Sequence, residues 1–333
     1  MAEDINPKKK ILVSGSSGFI GKHLIDVLLK QGNIVLGIDR SSSPREKAKN
    51  YFFKKCDILD KQKLIQIFVD FEPDMLIHLA ARTDLDEKNN LQGYATNIEG
   101  VDNIIEAIKK TKSLKKAIFT STQLVCEIGY IPKDEHDYQP NTLYGASKVA
   151  GEKIVREKDG GAVEWCIVRP TTVWGPGMSD HYKNFFKLIC NGKYFHVGDK
   201  ALYKSYGYVG NVVYQYLKIL EAPDSQIHHK VFYLADYSPI SLREWAEAFQ
   251  KELGARRIKS CPVAIAMILA KIGDAINFIG FRNFPFNSFR INNILSEYQL
   301  DISNTEKICG PLPYTKDQGV KETVAWLRKE GIT

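Results

Sequence analysis

The sequence predicts an α/β fold, a doubly wound parallel sheet with helices on both faces, followed by a smaller C-terminal lobe. Three observations carry that prediction. Through the first half of the chain, apolar runs of strand length alternate with amphipathic runs of helical period. A glycine-rich turn sits directly between the first strand run and the first helix run. After about Gly175 the alternation gives way to a stretch crowded with glycine, tyrosine and phenylalanine.

The elements follow in order. Residues 11–14 form a short β run, and residues 19–31 repeat apolar side chains at helical spacing through Ile20, Leu24, Val27 and Leu28. A second strand is predicted over 34–38, a helix over 63–71 and a strand over 74–79. A helix over 97–110, a strand over 116–120, a helix over 143–157 and a strand over 165–168 continue the rhythm. Near-continuous apolar strands separated by amphipathic helices imply a parallel sheet buried on both faces. Residues 1–174 are therefore one unit, and 175–333 are mainly a covering lobe with segments that return to the sheet. Those segments include a strand over 231–234, a helix over 241–253 and a terminal helix over 320–329. The most apolar later stretch, 262–280, is interrupted by Lys271 and Asp274 and is too short to span a bilayer. A buried helix pair is expected there; the alternative is a surface helix that meets a membrane or a greasy ligand.

Composition narrows the class. The 333 residues are 44% hydrophobic and 26% charged, as in a soluble globular protein. The net charge of +7 comes from cations scattered among 39 acidic residues, without the basic stripe and interleaved aromatics of a nucleic-acid-binding protein. The six cysteines form no Cys-x-x-Cys pair and no zinc spacing, so reduced thiols in a cytoplasmic setting and no metal are expected. The first ten residues carry acidic groups and no apolar core, unlike a signal peptide.

The turn after the first strand reads Gly15-Ser16-Ser17-Gly18-Phe19-Ile20-Gly21. Gly15 permits a tight turn, Gly18 lets a pyrophosphate approach the backbone, and Gly21 lets the helix pack close to the strand. The helix N-terminus then presents N–H groups to phosphate. Asp39, at the end of the second strand, is spaced to hydrogen-bond ribose hydroxyls and to repel a 2′-phosphate, which favours NAD. Arg40 is a guanidinium able to pair with that phosphate, so NADP is the weaker alternative.

A second signal is Tyr144-Gly145-Ala146-Ser147-Lys148 on a predicted helix, where residues four apart share a face. An ammonium beside a phenol favours the phenolate, so the pair suits proton exchange between an alcohol and a ketone. Upstream, the strand over 116–120 ends in Ser121-Thr122-Gln123-Leu124, two hydroxyls followed by two residues with no useful acid or base.

Together these motifs resemble the extended short-chain dehydrogenase/reductase family and its NAD-dependent epimerase/dehydratase group. The match adds Asp57-Ile58, His78-Leu79-Ala80-Ala81, Asn97, Thr120, Arg169-Pro170 and Trp174-Gly175-Pro176-Gly177, and it spans nearly the whole chain. The resemblance implies a Rossmann-type domain with a C-terminal substrate-binding lobe. It implies cofactor contacts at Gly15, Gly18, Phe19, Ile20, Gly21, Asp39 and Arg40, with Asp57 and Ile58 at the adenine. Leu79, Ala80 and Ala81 would line the cofactor channel, joined by Asn97 and Thr120, with Pro170 and Thr171 flanking the nicotinamide. Thr122 would hold the reacting oxygen, Tyr144 would exchange its proton, and Lys148 would also bind the nicotinamide ribose. Substrate contacts are expected at Thr83, Gln123, His181 and Lys204, the last standing where an arginine often holds a nucleotide diphosphate. A homodimer is expected by the same resemblance, with no stable membrane insertion.

The reaction is bounded by what Gln123 and Leu124 lack. Sugar-nucleotide 4,6-dehydratases of the family carry an Asp-Glu pair here to eliminate water, and neither residue can move a proton. Epimerisation, or simple oxidation or reduction, of a secondary alcohol of a nucleotide sugar remains. The alternatives are a 3β-hydroxysteroid-like or other small-alcohol dehydrogenase, suggested by the apolar 262–280 stretch, and a non-catalytic dinucleotide-sensing regulator.

Overall fold

The computed structural model describes residues 8–43, 48–87, 89–178, 180–279 and 286–333, with the side chains of residues 180–182 outside that description. The first half runs β1 (Lys10–Ser14), α1 (Phe19–Lys30), β2 (Ile34–Asp39), β3 (Tyr51–Lys55), α2 (Lys61–Phe71), β4 (Met75–His78) and α3 (Ala95–Lys109). It continues through β5 (Lys116–Thr120), α4 (Leu143–Glu157), β6 (Glu164–Pro170) and β7 (Thr172–Trp174). The second half holds α5 (Asp180–Cys190), β8 (Phe195–Val197), β9 (Tyr203–Lys204), β10 (Tyr206–Tyr208), α6 (Val209–Glu221) and α7 (Asp224–Ile227). After these come β11 (Val231–Leu234), β12 (Ile240–Ser241), α8 (Leu242–Leu253), β13 (Lys259–Cys261) and α9 (Val263–Phe278). Three helices end the chain: α10 (Ser288–Leu295), α11 (Ser303–Cys309) and α12 (Lys316–Lys329).

Seven strands form one sheet in the order β11-β6-β5-β4-β1-β2-β3. Every neighbouring pair in it is parallel. This is the Rossmann-type arrangement the alternating pattern predicts. Strand order reverses between β1 and β4, and the crevice outside their C-terminal ends is where such sheets bind ligands. One face of the sheet packs on α1 and α6 through Leu24, Leu28, Val212 and Tyr216. The other packs on α2 and α3 through Leu64, Phe68, Ile104 and Ile108.

Most predicted elements coincide with observed ones to within a few residues, and two findings differ. β3 has no counterpart in the apolar pattern, because it is an edge strand with only Tyr51 buried. The stretch 262–280 is no buried helix pair. Its described part is a single helix, α9, that buries only Ala266, Ala270 and Gly273. Apolar composition announces burial, but it does not say which residues of a helix meet the body.

The second half is fastened to the first by aromatic packing. Trp174, at the end of β7, lies edge-on to Trp245 and Phe249 of α8 at 5.7 and 5.9 Å. Phe185 of α5 stacks on Trp245 at 5.0 Å. The chain also returns to the sheet, where β11 is the seventh strand and Val324 and Leu327 of α12 join the core beneath α1 and α6.

One buried ion pair ties α4 to the sheet. Arg169 of β6 is fully buried and grips Glu152 of α4 with two hydrogen bonds, of 2.9 and 2.7 Å. It also donates to the Tyr233 hydroxyl and to the Glu135 carbonyl. A buried guanidinium needs this full set of acceptors to offset its lost hydration.

Candidate active site

The C-terminal ends of the strands open onto a cleft of about 510 Å³. Its floor is the glycine loop. Gly15 has φ +72°, and a Cβ there would stand 2.7 Å from the backbone nitrogen of Ala80. A Cβ on Gly21 would stand 2.4 Å from the Gly15 carbonyl oxygen. The loop thus tolerates no side chain at either position, and the backbone itself forms the surface. The N-terminus of α1 begins at Gly18 with no side-chain cap and no acidic residue in its first turn. Its N–H groups and positive dipole end face the cleft without a competing anion.

Asp39 closes one end. Its carboxylate accepts from the Ser17 backbone at 3.0 Å and from the Ser41 backbone at 2.9 Å, which locks it beside the loop. Arg40, Asp57 and Ile58 line the same end, and Leu79, Ala80, Ala81 and Thr83 line the wall after β4. Ser14 orders that wall. Its hydroxyl accepts from the Leu79 and Ala80 backbone and stands 2.7 Å from His78 Nδ1, so its own proton goes to the ring. Burial keeps His78 neutral, with its pKa lowered to about 3.

At the other end of the cleft, β5 delivers Thr120, Ser121 and Thr122, and α4 delivers Tyr144 and Lys148. Thr122 caps a short turn over Gln123–Val125, accepting from the Leu124 N–H at 3.2 Å. Thr142 caps α4 and accepts from the Gly145 N–H at 3.0 Å. A Cβ on Gly145 would meet the Leu124 carbonyl at 2.2 Å, so the turn and the helix are in backbone contact. That contact holds Thr122 within hydrogen-bond reach of Tyr144.

The electrostatics differ from the sequence expectation. Burial pushes the Tyr144 phenol up to about 12, with the Thr122 hydrogen bond pulling the other way. Lys148 donates to the Thr120 carbonyl at 2.6 Å, and burial lowers its pKa to about 8. The ammonium is held on the strand end, and removal from water outweighs every other influence on the phenol.

Not every expected residue reaches the cleft. Asn97 is buried and works as a brace: it exchanges hydrogen bonds with the Arg82 backbone and donates to Ser147 Oγ. Ser147 in turn donates to the Tyr144 carbonyl. Gln123 turns away from the dinucleotide end and donates to the Tyr298 hydroxyl at 2.9 Å. Lys204 is buried against the Tyr298 ring, and its ammonium donates to the Asn293 carbonyl. It is therefore two residues removed from Thr122, through Tyr298 and Gln123. The His181 side chain lies outside the described residues. The cleft also contains Ser17, Cys56, Arg82, Thr96, Val173 and Met178, which sequence reasoning did not select. Ser17 was within reach, since it stands inside the glycine loop. Tyr298 carried no local signal, because it meets Gln123 across 175 positions.

The side-chain-free loop, the uncapped helix end and the pinned Asp39 carboxylate suit a dinucleotide, and a tyrosine hydrogen-bonded to Thr122 at the far end suits an enzyme of the extended short-chain dehydrogenase/reductase type. The profile of the NAD dependent epimerase/dehydratase family matches residues 11–235, and the chain belongs to that family. It is an epimerase or oxidoreductase, and its cofactor is NAD. A relative from Escherichia coli O157:H7, N-acetyl-alpha-D-glucosaminyl-diphospho-ditrans,octacis-undecaprenol 4-epimerase, is 26% identical over 97% of this chain and 98% of its own. A 3-beta-hydroxysteroid dehydrogenase from Mycolicibacterium neoaurum is 25% identical over 71% of this chain and 68% of its own. Among solved structures, the UDP-glucose 4-epimerase of Thermotoga maritima superposes with a TM-score of 0.74 at 22% identity. It covers 96% of this chain and 99% of that one.

Proposed function

We propose that the protein is an NAD-dependent 4-epimerase of a sugar carried on a diphosphate, as in a nucleotide sugar. The observation that carries this reading is the convergence of Thr122, Tyr144 and Lys148 at one end of the dinucleotide cleft, with no acid or base in the adjoining Gln123-Leu124 pair. The whole-length likeness to a sugar 4-epimerase supports it.

Gly15, Gly18 and Gly21 would hold the pyrophosphate, Asp39 the adenosine ribose, Asp57 and Ile58 the adenine, and Pro170 and Thr171 the nicotinamide side. Bound there, NAD supplies reversible two-electron oxidation of a secondary alcohol. Thr122 would hold the substrate oxygen against the phenol. A phenol pushed up to about 12 is protonated at neutral pH and suits the donor half of the exchange. The acceptor half needs positive charge nearby, and Lys148 is the cation at hand. One tyrosine-borne proton, with no acid or base at Gln123 or Leu124, favours epimerisation over dehydration in this reading. Reduced thiols fit a cytoplasmic enzyme: all six cysteines are free. A homodimer is part of the proposal and is tested by sedimentation velocity.

The test uses the purified protein, NAD and UDP-linked hexoses, with the C4 epimer followed by NMR and NADH by absorbance. Epimer should accumulate without net NADH. Net NADH without epimer would replace this reading with the second one, a small-alcohol or steroid-like dehydrogenase, which the hydroxysteroid dehydrogenase relative favours. Tyr144→Phe should lower turnover about 10²–10⁴-fold while NAD still binds.

A further inference from the structure

α9 is built the wrong way round for an ordinary surface helix. Such a helix turns large apolar residues inward and polar ones outward. α9 instead buries Ala266, Ala270 and Gly273 and exposes Val263, Ile265, Ile268, Leu269 and Ile272. Ile268 is 60% exposed, and the outward apolar surface continues through the last helical residue, Phe278 (92%), to Ile279 (72%) just beyond it. Phe289 of α10, the helix packed beside α9, is also exposed. A contiguous apolar surface of this kind marks a place where something other than water is met.

Three observations indicate what covers it. The first is charge. From Leu253 to Ile279 the chain carries Arg256, Arg257, Lys259 and Lys271 against one acidic residue, Asp274, which accepts from the Ser288 N–H. Lys271 stands on α9 itself, between exposed Ile268 and Ile272. Apolar residues beside exposed cations are the signature of a helix lying in the interface of an anionic bilayer. A second copy docked through the same face would set these cations against themselves. The second is length. At 1.5 Å per residue the 16 residues of α9 span about 24 Å, and no described helix is long and apolar enough to cross a membrane. Such a helix lies along the surface. The third is position. α10 leads directly to Tyr298, whose hydroxyl accepts from Gln123, the neighbour of Thr122, so the α9–α10 pair is joined through Tyr298 to the Thr122 end of the cleft. The relative matched along nearly its whole length acts, by its name, on a sugar diphosphate linked to undecaprenol, a substrate that lives in a bilayer.

We propose that the outward face of α9, with Phe278, Ile279 and Phe289, docks the enzyme on an anionic membrane surface and sets the cleft to receive a lipid-linked sugar diphosphate. Docking itself stands apart from the epimerase reading; only the lipid carrier rests on it.

The test is co-sedimentation of the NAD-saturated full chain with phosphatidylglycerol–phosphatidylethanolamine vesicles and with phosphatidylcholine vesicles, without substrate. The protein should pellet with the anionic vesicles and more weakly with the zwitterionic ones. The double variant Ile268→Asp/Ile272→Asp should lose partitioning by about tenfold or more, with unchanged melting and NAD binding. The double variant Phe278→Asp/Ile279→Asp should lose it in the same direction. A wild-type protein that stays in the supernatant with both vesicles, or a variant that binds as well as wild type, overturns the proposal. So does a dimer in sedimentation velocity that the Ile268/Ile272 variant splits, since a second copy would then cover the face. Because no substrate is present, a failed epimerase assay leaves the vesicle result standing, and a failed vesicle assay leaves the epimerase reading standing.

Discussion

At the scale of single residues, the site depends on where burial meets polarity. Folded His78 takes no proton until about pH 3, whereas unfolded histidine titrates near its ordinary 6.5. The unfolded state therefore binds more protons between those values, and stability falls as pH falls through that window. Each pH unit below about 6 should remove about 1.4 kcal/mol through this residue. Urea titrations of wild type and His78→Asn between pH 4 and 6 measure it, and parallel curves would show that His78 is not the sensor. Asp39 carries a second prediction. Its carboxylate is pinned by two backbone N–H groups beside the glycine loop, so Asp39→Ala should weaken NAD and relax discrimination against NADP. Better turnover with NADP(H) than with NAD(H) in the unmodified protein would contradict that account.

At the scale of elements, the question is how α4 is held so that Tyr144 and Lys148 meet a strand end. Two contacts do it: Gly145 against the Leu124 carbonyl, and Glu152 in the buried grip of Arg169. Arg169→Met would leave the Glu152 carboxylate buried without its counter-charge, at a cost of about 3–5 kcal/mol. A denaturant melt reads that cost. If Glu152→Gln in the same background recovers most of it, the loss came from the unpaired charge. Element boundaries were largely legible from periodicity, because helices and buried strands repeat their apolar residues locally. β3 was not, since an edge strand with one buried residue carries no such repeat.

At the scale of the whole molecule, one core joins the two halves. Leu24 and Ile77 from the first belong to the same buried cluster as Trp245, Phe249 and Leu327 from the second. Unfolding should therefore be a single transition, with calorimetric and van 't Hoff enthalpies equal. NAD at about a hundredfold its dissociation constant should add about 2.7 kcal/mol. Two resolved transitions would instead mean that 1–174 and 175–333 fold separately.

Sequence alone determined the α/β class and the family, and it marked the glycine loop, Asp39, the Tyr144–Lys148 spacing and the Gln123-Leu124 pair as the residues to look at. Each of these is a local pattern: a period, a spacing, or a residue type at a strand end. Tertiary structure decided the rest. It turned the Lys204 ammonium onto Asn293, brought Tyr298 to Gln123 across the chain, and set the small residues of α9 inward so that its isoleucines face out. These outcomes depend on which surfaces meet after the chain has folded back on itself, and no local repeat specifies that.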